Sequence, residues 1–76
     1  MKEFLEYIVK NLVDFPDQVD VQYTHNEQAV TIDLRVDSSD VGKVIGRNGS
    51  VIQSIRTIAA IIAARFGCQV RINLLE

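Results

Sequence analysis

Cysteine is almost absent from this chain: Cys68 is the only one in 76 residues. No intrachain disulfide can form. Secreted domains of this size usually depend on several, so a reducing, cytoplasmic setting is the expectation. Histidine is equally scarce. His25 stands alone and far along the chain from Cys68, and two such ligands do not make a zinc site, which normally takes four. No metal and no cofactor are expected. No serine or cysteine has a base and an orienting third group in a recognisable pattern, so no catalytic residue can be named and an enzyme is not expected. Long apolar runs are missing too. The longest, residues 58–64, is far too short to span a bilayer and is flanked by Arg56 and Arg65. Met1-Lys2-Glu3 opens into a mixed stretch rather than the basic and apolar regions of a secretion signal. No membrane association is expected.

What is present is a core. Hydrophobic residues make up 47% of the sequence, with many valines and isoleucines, too many for a disordered chain. The length fits one domain over residues 1–76. A domain so small buries only about 60% of the surface its unfolded chain exposes, so a partner would help it. The net charge of −2 disfavours nucleic acid by itself, but the charges are unevenly distributed. Residues 1–40 carry three basic and nine acidic side chains, a balance of −6; residues 41–76 carry five basic and one acidic, a balance of +4. That asymmetry is compatible with a basic face on an acidic domain, and equally with uneven scatter.

Hydrophobic spacing sets the order of elements. Phe4, Leu5, Ile8, Val9 and Leu12 recur at helical spacing, which predicts an amphipathic helix over 2–13. Phe15-Pro16-Asp17 ends it. Val19, Val21 and Tyr23 alternate with polar residues, as do Val30, Ile32, Leu34 and Val36, and His25-Asn26-Glu27-Gln28 supplies a turn between them. Two strands in an antiparallel hairpin follow. Asp37-Ser38-Ser39-Asp40 offers side chains that start helices, predicting a short helix over 40–45. Ser50 is then expected to cap a longer helix reaching Phe66, with Gly67 at its end. Along that helix Val51, Ile55, Ile58, Ile62 and Phe66 are expected to form the core stripe. Val70, Ile72 and Leu74 mark a third strand. The fold class is α+β in the order α-β-β-α-α-β. A three-stranded mixed sheet, its last pair parallel across a helical crossover, packs on three helices.

The stretch that carries chemistry is Val41-Gly42-Lys43-Val44-Ile45-Gly46-Arg47-Asn48-Gly49-Ser50. Gly46 and Gly49 permit a sharp turn and the close approach of a ligand backbone. The turn opens into a helix N-terminus, where free N–H groups and the helix dipole favour phosphate. Arg47 adds a positive charge at the tip, and Lys43 is expected to flank the same path. A glycine-bracketed joint between two helices is the plainer reading of G-x-x-G alone.

With these surroundings, V-G-K-V-I-G-R-N-G at Val41 to Gly49 and the long Val/Ile-rich helix after it, the sequence resembles the KH domain family. The element order is similar to the type II arrangement, and the likeness extends over essentially the whole chain, as in small free-standing bacterial members. The resemblance implies a groove that takes about four nucleotides of single-stranded RNA, or DNA. It places the sugar-phosphate backbone at Gly46–Gly49, with Gly42, Lys43 and Ser50 beside it. Val41, Val44 and Ile45 would form one wall, Ile52 the apolar floor, and the strand next to the helices the other wall. The acidic overall charge departs from such a role. Arg56 lies on the flank of the long helix, where it either reaches the nucleic acid or covers the core. None of the five aromatic residues, Phe4, Tyr7, Phe15, Tyr23 and Phe66, falls in the motif. A ring-stacking platform is therefore not expected.

Two functional classes remain open at this point. One is a single-stranded RNA-binding protein, a chaperone or post-transcriptional regulator. The other is a protein-interaction or dimerisation module with little affinity for nucleic acid. The resemblance further implies a homodimer, or a heterodimer with a second KH-type RNA-binding protein. Ile61 falls opposite the expected core stripe, among small and polar neighbours, so Thr57, Ile61 and Ala64 are the candidate contact.

Overall fold

Alternation of branched aliphatic and polar residues is cleanest in the middle strand, and that strand organises the molecule. The computed structural model describes residues 1–75. Helix α1 spans Lys2–Leu12, followed by a 3₁₀ turn at Pro16–Gln18; strand β1 spans Asp20–His25 and β2 spans Ala29–Arg35. After a second 3₁₀ turn at Ser38–Asp40 come helix α2, Val41–Ile45, a third such turn at Arg47–Gly49, helix α3, Ser50–Arg65, and strand β3, Gln69–Leu75. The sheet order is β1-β2-β3; β1 and β2 are antiparallel, β2 and β3 parallel. The α+β mixed sheet with three helices is the expected architecture.

The hairpin turn is built by Asn26, whose side-chain oxygen accepts the N–H of Gln28 at 3.2 Å and of Ala29 at 2.9 Å. Val30, Ile32 and Leu34 of β2 and Val36 beyond it are all buried, each pointing to the helix side as a period of two requires. They meet Leu5 and Val9 of α1, Val44 of α2, Ile52, Ile55 and Ala59 of α3, and Ile72 of β3. Such a centre is worth about 2–5 kcal/mol per large aliphatic side chain truncated to alanine.

Three expectations fail in informative ways. The buried face of α3 is Ile52, Ile55, Ala59 and Ala63, whereas Ile58 and Phe66 are exposed. The two alanines let α3 lie close on the sheet, and the larger side chains are turned to its flanks. Ser50 does not cap α3; the cap is Gly49, in the left-handed conformation at φ 77°. Aspartates 37 and 40 do not cap α2 with their side chains. Asp37 accepts the Ser39 N–H at 3.0 Å in the preceding turn. At the other end of α3 the expectation holds: Gly67 adopts φ 71°, its N–H bonds Ala64 O at 3.1 Å, and Cys68 N–H bonds Ala63 O at 3.0 Å. That is a Schellman ending.

Candidate nucleic-acid interface

Helix α2 is barely more than one turn long, so its side chains divide sharply between core and surface. Val44 is fully buried and belongs to the core, not to a groove wall as expected. Val41 and Ile45, one turn apart, face outward together. Lys43 lies roughly 160–200° around the helix from them and points the other way. Its Nζ is 3.0 Å from Asp14 Oδ2 and 3.5 Å from Asp40 Oδ1. The hydrogen bond and the negative charge of Asp14 hold the Lys43 amine above its ordinary value, and Asp40 adds to this. Lys43 therefore does not flank the cleft formed by Val41 and Ile45, and its charge is already answered inside the protein.

Asp40 is the buried partner in that cluster, at 0% exposure. Its Oδ1 accepts the Asp14 N–H at 3.1 Å and its Oδ2 the Phe15 N–H at 3.0 Å. A buried carboxylate is tolerated only when paired and hydrogen-bonded, and here both conditions are met. The result is a clamp that fixes the start of α2 to the chain leaving α1. Sequence reading treated Asp40 as a local cap; the two N–H groups it accepts lie more than twenty residues away, so no local signal could reveal the role.

From this anchor the loop is shaped by backbone sterics. Gly46 has φ 76° and ψ 176°, and a Cβ there would stand 2.3 Å from Val51 Cγ2. Only glycine fits. Asn48 and Gly49 also have positive φ, 55° and 77°, and asparagine is among the few non-glycine residues that visit this region readily. Three of the four residues Gly46-Arg47-Asn48-Gly49 thus have positive φ. The turn closes through Gly49 N–H to Gly46 O at 3.2 Å. Arg47 and Asn48 are exposed at the tip, and Arg47 makes no ion pair among the described residues. Ser50, at the start of α3, and Gly42 are exposed beside the turn.

Adjoining the turn is an open cleft of about 300 Å³ lined by Val41, Ile45, Ile52, Arg56 and Leu74. Four of the expected residues meet there. Leu74, read from sequence only as an inward-facing strand residue, supplies the opposite wall because β3 lies at the sheet edge. Arg56 lies between the cleft and the backbone of β3. It lines the cleft, and one guanidinium nitrogen donates to the Ile72 carbonyl at 3.3 Å. The arrangement offers an apolar slot, one arginine within it and another at the glycine turn.

The aromatic residues depart from expectation. All five are at least 40% exposed, so the core is wholly aliphatic. Tyr23 and His25 stack with ring centroids 6.4 Å apart at the far end of α3, beside Phe66, away from the glycine turn. No group of residues able to hold a metal ion occurs among those described, and no described helix is long and apolar enough to cross a membrane.

The family model described as the KH domain of KhpA/KhpB matches residues 2–74. Among curated proteins, the RNA-binding protein KhpA of Chlamydia trachomatis is 41% identical over 76 residues, covering all of this chain and 97% of that protein. KhpA of Borreliella burgdorferi is 40% identical over 74 residues, 97% of this chain and 90% of its own length. KhpA of Aquifex aeolicus is 40% identical over 76 residues, all of this chain and 96% of that protein. With a family match along nearly its whole length and relatives well above the level at which chance explains identity, this chain belongs to the KhpA/KhpB KH-domain family.

Proposed function

We propose that this chain binds single-stranded RNA, with the sugar-phosphate backbone at Gly46-Arg47-Asn48-Gly49 and about four bases along the cleft of Val41, Ile45, Ile52, Arg56 and Leu74. As a member of its family it is a binding protein and not an enzyme. The observation that carries the reading is the adjacency of two features: a turn stripped of Cβ atoms where an exposed arginine waits, and an apolar slot beside it. Phosphate takes the first and base faces the second. The outer edge of β3 has no strand neighbour, so its backbone groups are available to polar edges of the bases. The relatives are named RNA-binding proteins, which favours RNA over DNA. In the cell the protein acts as a cytoplasmic RNA chaperone or post-transcriptional regulator.

The test is the double substitution Arg47→Asp, Asn48→Asp. Both glycines stay, and aspartate tolerates the Asn48 conformation, so circular dichroism should be unchanged. Two carboxylates then stand where phosphate should sit, and fluorescence anisotropy with a short single-stranded RNA should show binding lost. Undiminished affinity would remove the site from this turn.

A second reading, a protein-contact surface, is favoured by α3. Ile61 is 61% exposed, with Thr57, Ala60 and Ala64 exposed around it and Arg65 the only charge on that face. We propose that Thr57, Ile61 and Ala64 form the contact of a homodimer, or of a heterodimer with a second KH-type protein. Two grooves joined in this way bind a long RNA far better than one, because the second event is intramolecular. Sedimentation equilibrium of the wild type and Ile61→Glu decides it. A dimer split by the substitution supports the surface; a wild type that stays monomeric at high concentration rejects it.

A further inference from the structure

The apolar cleft does not end at Arg56. On its far side a second open hollow, about 430 Å³, runs along the outer edge of β3 between Arg56 and Ala60 of α3 and Arg71, Ile72 and Asn73 of the strand. Arg56 lines both hollows, so they adjoin at one arginine. Arg71 is exposed and, like Arg56, has no ion-pair partner among the described residues. The carboxylate nearest in register, Asp33, accepts a hydrogen bond from Asn73 at 3.0 Å, which holds it on its own partner. Arg56 spends one nitrogen on the Ile72 carbonyl and keeps the rest of its donor fork free.

We infer that this second hollow extends the nucleic-acid groove: Arg56 and Arg71 hold phosphates of the nucleotides that follow those in the apolar cleft. The inference rests on the RNA-binding reading above and adds to it a footprint longer than four nucleotides. Leu74 and Arg71 are three residues apart on β3, about 10 Å at a strand's rise, and this odd spacing turns them to opposite faces, so the path passes from the helix side at Leu74 to the outer edge at Arg71. That is room for up to about three phosphates at the 3.4 Å spacing of a stacked strand, and fewer if the bases are splayed. The chemistry of the track changes along its length in the sense this requires. The first hollow is aliphatic apart from Arg56 and suits base faces. The second sets Arg71 beside Arg56, among Ala60, Val70 and Ile72, and its two guanidinium groups suit the backbone. The contacts it adds carry no base preference, so they raise affinity for any continuing strand.

The experiment measures binding of wild type and Arg71→Ala to fluorescein-labelled, randomised oligoribonucleotides of four, six and eight nucleotides, each over a range of salt. Arg71 is a solvent-facing strand residue, and circular dichroism verifies the variant's fold. Both proteins gain from the extra binding registers of a longer strand; only the wild type should gain more. On the eight-nucleotide pool Arg71→Ala should bind about threefold more weakly or worse, as expected for losing an exposed ionic contact, and its log–log salt slope should be shallower by about 0.7, one phosphate. On the four-nucleotide pool the two proteins should coincide. Identical affinity and slope for the two proteins on eight nucleotides would overturn the extension while leaving the cleft intact. A wild type that binds none of the pools would overturn the RNA reading itself, and the extension with it.

Discussion

Replacing Asp40 by alanine should destabilise this protein far more than the loss of any other single acidic side chain. The carboxylate is fully buried and accepts two backbone N–H groups, those of Asp14 and Phe15, at 3.1 and 3.0 Å. Alanine leaves both donors unpaired, at about 1–3 kcal/mol each if they stay sealed from water. Asp14 and Phe15 are exposed residues, so water can reach their N–H groups after a small opening, and the lower half of that range applies. Lys43 loses its buried partner at 3.5 Å but keeps Asp14 at 3.0 Å, an exposed pair that solvent screens and that adds little to the loss. The total is about 2–4 kcal/mol. A chain of this length has a stability on the order of 4–11 kcal/mol, so about a fifth of it or more depends on one residue. At about 4–8 °C per kcal/mol the thermal midpoint should fall by roughly 8–32 °C. Asp40→Asn keeps one acceptor oxygen but turns an NH₂ toward the other donor, and should lose about half as much. Urea and thermal unfolding followed by circular dichroism measure both variants. A loss below about 0.5 kcal/mol for Asp40→Ala, the size of an ordinary surface substitution, would refute the clamp.

Three further outcomes follow from the same geometry. Gly46→Ala should disrupt the turn, because its Cβ would stand 2.3 Å from Val51 Cγ2 at φ 76°; unfolding should show a cost of at least about 1–3 kcal/mol and RNA affinity should fall, whereas unchanged stability would mean that the turn has another shape. RNA binding should depend weakly on salt, with a log–log slope of about −1 to −2 at roughly 0.7 per phosphate, because Arg47 and Arg56 are in place while Lys43 is occupied; a slope steeper than about −5 would require many more phosphate contacts. Stability should decline at high pH in a way that depends on Asp14. The folded-state Lys43 value is raised above its ordinary 10.5, so its contribution is complete below that pH and disappears as pH rises through the folded value. Urea midpoints across that window should fall less in Asp14→Asn than in the wild type, and equal falls would show that the pair contributes nothing.

The sequence by itself determined the element order, the hairpin, the alternating core strand and the glycine turn. Each depends on neighbours within a few residues: a period of two at Val30-Ile32-Leu34, a period near 3.6 in α1, and glycine at Gly46, Gly49 and Gly67, all three at positive φ. The motif's resemblance to KH domains was legible for the same reason, since a turn and its flanking helices form one contiguous stretch. Which face of α3 is buried was not legible. Periodicity favours the larger side chains, but close packing on a sheet favours Ala59 and Ala63 and sends Ile58 and Phe66 outward. Only the tertiary structure assigned Val44 to the core, withdrew Lys43 toward Asp14, brought Leu74 opposite Ile45, and gave Asp40 its partners. Those assignments rest on contacts between segments distant in the chain, and on β3 taking the outer edge of the sheet rather than its middle. Local propensity carries no information about either, because the partner that satisfies a buried carboxylate or closes a cleft is chosen by the packing of the whole fold.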